Sequence, residues 1–369
     1  MDRDDAPTEM RPVFSLALER PGMTSIGVVG AGAAAAAATY VVDGASEAEI
    51  TVLEKSRGLC GRAATRRRDG VRYDYGANYV KSDDERVNEL LTETLDDEGL
   101  VDVTEPVYTF DAEGAVSEGR DADEHKWSYT EGLTQIAKRL FARTDASVRR
   151  RTRIETIHRM ADDDTWTVTD AAGDDHGPFD VLVLNPPAPQ TAELLRAADW
   201  DDERRAALAA AVETVDYRSV WTAVLGYGFR IDRPYYALVN TDKEHAVGWI
   251  SREECKRGHV PDGESVLIVQ ANHEWSVDRY DDPPAENVAA LAERAAAILE
   301  DDRLADPDWT DHQGWRYALP ESGPEAPGTF REATEAGLYC VGDWMAGEGR
   351  LHAALRNGLD TGEEIALSL

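Results

Sequence analysis

The stretch that decides the fold begins Ser25-Ile26-Gly27-Val28-Val29-Gly30-Ala31-Gly32-Ala33-Ala34-Ala35 and continues to Glu49-Ile50-Thr51-Val52-Leu53-Glu54. Thr24 to Val29 has the apolar, β-branched make-up of a buried strand. Gly30-Ala31-Gly32 is a turn, and Ala33 to Val42 favours helix. Glu49 to Glu54 is a second strand, so the stretch predicts a βαβ unit of the usual ~30 residues. Its G-x-G-x-x-A spacing has a physical purpose. Gly30 permits the tight turn, Gly32 lets backbone approach a pyrophosphate, and Ala35 is small enough for the helix to pack on the sheet. The helix start offers unpaired N–H groups and a positive dipole end to phosphate. Alone, the pattern also fits an Ala-rich core helix after an ordinary glycine turn. Glu54 tips the balance, lying about 22 residues after Gly32 where an acid is expected at ~20. A carboxylate there accepts the hydroxyls of an adenosine ribose and repels a 2′-phosphate, so NADP is disfavoured. NAD and FAD share the ADP half, and this unit does not separate them.

Two further motifs do. Glu54-Lys55-Ser56-Arg57-Gly58-Leu59-Cys60-Gly61-Arg62 places glycines and an arginine just after the ribose acid, and Arg62 can fork onto a pyrophosphate. Tyr73-Asp74-Tyr75-Gly76-Ala77-Asn78-Tyr79 follows. Far downstream, Leu338-Tyr339-Cys340-Val341-Gly342-Asp343-Trp344 reads as a strand closed by Gly-Asp, with Gly347-Glu348-Gly349-Arg350 opening a helix over Leu351 to Leu367. On these residues the chain resembles the FAD-dependent amine-oxidase superfamily, whose members carry E-K-x-x-x-x-G-G-R, a D-x-G-A segment near the flavin and a C-terminal Gly-Asp. Within it the chain is most similar to the renalase-like group over nearly all of residues 24–369. That likeness rests on Asn185-Pro186-Pro187-Ala188-Pro189-Gln190, Val247-Gly248-Trp249-Ile250, Asn272-His273-Glu274-Trp275-Ser276 and Gly314-Trp315-Arg316-Tyr317-Ala318. Two departures stand out. Cys60 replaces the first glycine of the pair, and Lys256-Arg257-Gly258-His259 replaces the usual K-P-G-R.

The resemblance implies a Rossmann-type FAD-binding domain of the glutathione-reductase/p-hydroxybenzoate-hydroxylase kind, α/β in class. Into it is inserted an α+β substrate domain built on an antiparallel sheet. The expected division is a tail at 1–23, FAD-binding parts at 24–80, 131–190 and 330–369, and substrate-domain parts at 81–130 and 191–329. Met23 stands just before the first strand, and residues 1–22, with no apolar face, are expected to be dispensable. FAD is expected to be held without a covalent bond. Its implied contacts are Gly30, Gly32, Ala35, Glu54, Lys55, Gly61, Arg62, Gly76, Ala77, Asn78, the backbone of Ile154, Gly342, Asp343, Gly349, Arg350 and Leu351. Asp343 is expected at the ribityl or phosphate region, and the Leu351 helix start at the flavin N1–O2 edge.

Composition bounds the rest. Acidic residues number 72 and basic ones 39, a net charge of −33, with lysine only at Lys55, Lys81, Lys126, Lys138, Lys243 and Lys256. This excludes a nucleic-acid footprint. Carboxylate excess with scarce lysine resembles a protein from a salt-accumulating halophile. A field that steers a cationic partner is the alternative, but the acids are spread along the whole chain. Cys60, Cys255 and Cys340 form no C-x-x-C pair, which argues against a disulfide framework or zinc site and fits a reducing cytoplasm. No secretory signal or membrane span is legible, no H-E-x-x-H or H-x-x-x-H pairing suggests a metal, and no G-x-S-x-G elbow suggests a hydrolase. The expected ligand is a small molecule, and the oligomeric state is left open.

For function, the resemblance implies hydride transfer to flavin N5 from an isomeric NAD(P)H or other dihydropyridine, or from an amine, with oxygen or another acceptor reoxidising the flavin. An amine oxidase or desaturase-like enzyme is the nearest alternative, and a non-catalytic flavin or NAD sensor is the one from another class. Tyr79, Trp249, Trp275, Trp315 and Arg316 are the candidate donor pocket. Each tryptophan alone is equally well read as core of an antiparallel sheet.

Overall fold

The computed structural model describes residues 23–95, 97–119, 124–160, 162–200 and 203–369. The expectation for residues 1–22 lies outside them. β1 (Ser25–Val29), α1 (Ala33–Ala45) and β2 (Glu49–Glu54) form the expected βαβ unit. β1 is the centre of a five-stranded parallel sheet. On one side stand β2 and then Ser147–Arg150; on the other stand Val181–Leu184 and then Leu338–Cys340. All four residues of the Val181–Leu184 strand are buried, as a central parallel strand requires.

One face of this sheet is covered by α1, the helix Thr134–Phe141 and the helix Leu351–Ser368, all in one apolar core with Ile26, Val28, Val52 and Val183. The other face carries an antiparallel meander (Ile154–Met160, Thr165–Asp170, Asp175–Phe179) and the helices Ala188–Ala197 and Glu203–Glu213. These two helices were expected to open the second substrate-domain part at 191. Their Ala188, Leu195, Leu208 and Val212 instead share a core with Val29, Leu53 and Leu184, so the chain leaves this layer only after Glu213.

A seven-stranded sheet follows. Its long strands Tyr217–Tyr227, Ser265–Ala271 and Trp309–Pro320 pair antiparallel, and Val247–Arg252, Ala237–Asn240, Val107–Phe110 and Val116–Ser117 extend it. Side chains alternate between its faces. Leu225, Leu267 and Val269 pack on the helix Pro284–Ile298, whereas Val224, Val266 and Ile268 pack on Val71, Tyr73 and Tyr75.

The amphipathic pattern of residues 81–104 yields only a short helix. It runs Glu85–Glu89, capped by Asp84, and continues as one π-helical turn, Leu90–Thr94. Leu100–Asp102 is then recruited as a strand by Lys126–Tyr129, a long-range pairing that overrides local propensity. Among the described residues no helix is long and apolar enough to cross a membrane.

Candidate active site: one cleft between the two sheets

A cleft of about 1930 Å³ runs from the C-terminal ends of β1 and β2 to the seven-stranded sheet. At its first end Gly30 takes φ +95°, and the N–H of Gly30 donates to Leu53 O at 2.8 Å. The Glu54 carboxylate is 8% exposed; it accepts the Ala31 N–H and the Ser56 N–H, both at 2.7 Å. Gly32 N–H donates to Asn185 Oδ1 at 3.0 Å, and a Cβ on Gly32 would stand 2.5 Å from that oxygen. Asn185 Nδ2 donates to Val341 O at 3.0 Å, so one side chain latches the glycine turn to the strand before Gly342. Gly342 N–H in turn donates to Asn357 Oδ1 at 2.8 Å. Asn185 was visible in the sequence only as part of a motif, and Asn357 not at all.

Arg62 joins the same two chain regions. Its guanidinium donates to Asp343 Oδ1 at 2.7 Å and to Ala318 O at 3.0 Å. A guanidinium has five N–H donors, so this pairing leaves capacity for a phosphate. Cys60 takes φ +74°, the left-handed region its glycine counterpart would enter freely, and its N–H donates to Ala31 O at 2.9 Å. Burial pushes the Cys60 thiol up to about 12, so it stays protonated and is a poor nucleophile toward a cofactor.

Every sequence-predicted cofactor residue lines this cleft except Ala35, which is fully buried on the inner face of α1, where its small size serves packing. Of the donor-pocket candidates, Tyr79, Trp249, Trp315 and Arg316 line it. Trp315 stacks on Tyr75 with centroids 5.3 Å apart, and its Nε1 donates to Tyr75 O at 3.2 Å. Tyr79 and Trp249 lie 6.3 Å apart. Gln270 Nε2 holds Gly76 O at 2.8 Å, and Ser251 Oγ holds Asn78 Oδ1 at 3.1 Å. Trp275 does not line the cleft, contrary to expectation. Asn272 caps a short helix, His273–Asp278, and this turns Trp275 against Trp221, with centroids 6.4 Å apart, and under Arg279. His352, which the sequence did not single out, does line the cleft; it is 3% exposed and its Nδ1 has no partner.

Beneath the Tyr75–Asn78 segment lies a buried ionic quartet. Lys256 Nζ stands 2.9 Å from Asp74 Oδ2 and 2.8 Å from Glu253 Oε1, all fully buried. His259 places Nδ1 2.9 Å from Glu253 Oε2 and Nε2 2.9 Å from Tyr129 O. Both neighbours are acceptors, so a ring carrying both protons satisfies both, and two cations then balance two carboxylates. Asp74 also accepts from Thr65 Oγ1 and the Leu133 N–H. Burial would raise the Asp74 pKa, but Lys256 and His259 outweigh it and hold the group below the usual carboxylate range. Asp74, Glu253 and His259 are near enough to one another to hold a metal, yet the cation among them is the Lys256 ammonium. The departure at Lys256-Arg257-Gly258-His259 therefore keeps a buried side chain on Glu253 at each end of the run.

This arrangement fits an FAD-sized dinucleotide. The glycine turn would be filled by a Cβ at Gly32, an acid closes β2, and the cleft continues past the Gly342 turn to the aromatic walls. Residues 28–94 match the family model of NAD(P)-binding Rossmann-like domains, and residues 120–366 match that of flavin-containing amine oxidoreductases. Among solved structures, the fold is similar to a protein described as a protoporphyrinogen oxidase from Exiguobacterium sp. 255-15. The TM-score is 0.76 at 15% identity, over 94% of this chain and 100% of that one. It is also similar to a putrescine oxidase bound to putrescine (0.69, 12%, 94% and 99%) and to a cyclohexylamine oxidase from Brevibacterium oxydans IH-35A (0.69, 14%, 94% and 99%).

Proposed function

The chain belongs to the flavin-containing amine oxidoreductase family and is an FAD-dependent oxidoreductase, and from that premise we propose a renalase-like oxidation of a dihydropyridine, an isomeric NAD(P)H, with an amine as the second donor class. FAD, when bound, supplies the hydride acceptor, and oxygen or another acceptor restores it. The observation that carries the proposal is the size and continuity of the cleft. At about 1930 Å³ it is roughly twice the upper end of the ~300–1,000 Å³ typical of single-ligand sites, so a cofactor leaves room for a second planar molecule.

In this reading Glu54 and Lys55 receive the ribose, and Ile154 lies along the adenine. Gly30, Gly32, Gly61 and Arg62 surround the pyrophosphate, while Gly342 and Asp343 meet the ribityl chain. Gly76, Ala77 and Asn78, with Gly349, Arg350 and Leu351, border the ring. Tyr79, Trp249, Trp315 and Arg316 form the donor wall. The ring border and the wall are fixed from behind: Gln270 holds Gly76, Ser251 holds Asn78 and the Tyr75 carbonyl holds Trp315. Such support keeps a donor carbon at the ~3–3.5 Å that hydride transfer needs. A dihydropyridine or amine is driven by its own nitrogen lone pair, so no enzymic base is demanded. The free thiols Cys60, Cys255 and Cys340 agree with a reducing compartment.

The test is anaerobic reduction of the purified yellow protein. Isomeric dihydronicotinamides are expected to bleach the flavin band faster than primary or secondary amines, and acid precipitation is expected to release the colour into the supernatant. Bleaching by amines alone would overturn the dihydropyridine reading.

A further inference from the structure

Formal charge along the cleft has the opposite sign to the molecule as a whole. Beyond the Gly76–Asn78 segment the described lining residues include Arg66, Lys81, Lys126, Arg316 and Arg350 against the acid Glu124, in a chain of net charge −33. Three of these cations are engaged. Arg66 is held by Asp311 at 2.9 Å, Lys81 by Asp83 at 2.8 Å and Glu124 at 3.0 Å, and Arg316 stands 4.0 Å from Asp281. Lys126 and Arg350 have no carboxylate partner among the described residues; Arg350 donates only to Gly349 O at 3.0 Å.

Three independent details point to a ligand at these two. First, Lys81 and Lys126 are direct cross-strand partners, and like charges directly opposite each other destabilise a sheet. Second, the Tyr79 phenol is raised by burial, and of the charges around it Arg350 and Lys81 pull it down while Glu124 and Asp83 push it up, so the hydroxyl lies in the field of both cations. Third, Trp249 Nε1 is buried on a cleft-lining residue and has no acceptor. Among the described residues, donors and positive charge thus outnumber acceptors and negative charge in this half of the cleft. A cationic ammonium would be repelled there, whereas an anionic oxygen group would be drawn in.

We propose that the donor carries an anionic oxygen group, phosphate or carboxylate, received by Lys126 and Arg350 beside the Tyr79 hydroxyl. This rests on the reading of this half of the cleft as the donor site. It names Lys126 as a specificity residue for the donor's remote end, away from the carbon that reacts.

The test uses the holoprotein at one fixed salt concentration, with inorganic pyrophosphate as the phosphate probe and malonate as the carboxylate probe. Binding is followed by the flavin difference spectrum. At least one probe should bind saturably, and Lys126→Gln should weaken it about ten-fold, the worth of one charge-assisted hydrogen bond, with recovery in Lys126→Arg. Whichever probe binds more tightly identifies the group. In parallel, the kcat/KM ratio for the 1,6-dihydro isomer of NADH over neutral N-benzyl-1,6-dihydronicotinamide should fall about ten-fold in Lys126→Gln. If neither donor bleaches the flavin, the dihydropyridine reading fails, while the pyrophosphate and malonate titrations still decide the anion site. Probe affinity that is unchanged in Lys126→Gln, or no binding by either probe, overturns the proposal.

Discussion

Glu54 is occupied before any ligand arrives. Its two oxygens hold the Ala31 and Ser56 N–H groups, so it shapes the turn and has lone pairs left for a ribose. Glu54→Ala should therefore cost about 1–3 kcal/mol of stability as well as one to two decades of FAD affinity, with donor-driven reduction intact once FAD is saturating. Asp343 is bound differently, as the counter-ion of Arg62. Asp343→Ala should release that guanidinium and alter the flavin spectrum or reduction rate even at saturation. Identical rates in the two saturated variants would place Asp343 away from the ring. The quartet under Asp74 adds a pH signature. The Asp74 pKa is depressed on folding, so its contribution is complete above the unfolded value of about 4 and is lost as pH falls through the lower folded one. Lys256 is shifted up despite burial, by Asp74 and Glu253, so its contribution is complete below about 10.4 and lost only above that. Lys256→Met should cost roughly 3–5 kcal/mol at neutral pH in denaturant melts, and the gap should narrow below about pH 4. A gap independent of pH would contradict the ionic account.

At the scale of elements, the helix Leu351–Ser368 lies unusually close to α1. A Cβ on Gly358 would stand 2.2 Å from Ala34 O, and one on Gly362 would stand 2.8 Å from Val41 Cβ. The alanine run of α1 and these glycines are complementary halves of one contact. Gly358→Ala gains up to about 1 kcal/mol of helix propensity, yet overpacking against rigid backbone should leave a net loss of about 1–3 kcal/mol. A melting point equal to or above that of the parent would refute the close contact. This scale also shows what the sequence could disclose. Gly30, Gly32 and Glu54 were legible because their spacing is local and fixed by the turn. Ser147–Arg150 was not, since an edge strand rich in arginine has no apolar signature. Asn185 and Glu253 act on partners 153 and 179 residues away, Gly32 and Asp74, and no local pattern encodes such a pairing. Trp275 was misread because a capped helical turn and a sheet edge look alike in a five-residue aromatic stretch.

For the whole molecule, the net charge of −33 opposes compaction wherever it is unscreened. The Debye length falls from about 10 Å at 0.1 M salt to about 3 Å at 1 M. The melting temperature should climb across that range by about 5 °C or more, the equivalent of ~4 kcal/mol for a chain of this length. A flat salt profile would mean that the acids are locally compensated. Global architecture also constrains how the molecule is made. The strand Val181–Leu184 has its outer partner in Leu338–Cys340, and the Asn185 latch closes on Val341, 156 residues further on. While the intervening sheet is being synthesised, the nascent chain presents Val-Leu-Val-Leu as an open edge, the kind that recruits other strands. The nucleotide cradle is thus assembled from segments that leave the ribosome far apart in time. Cofactor capture has to wait for the Leu338–Cys340 strand, and the unfinished edge is the stretch that a chaperone has to shield.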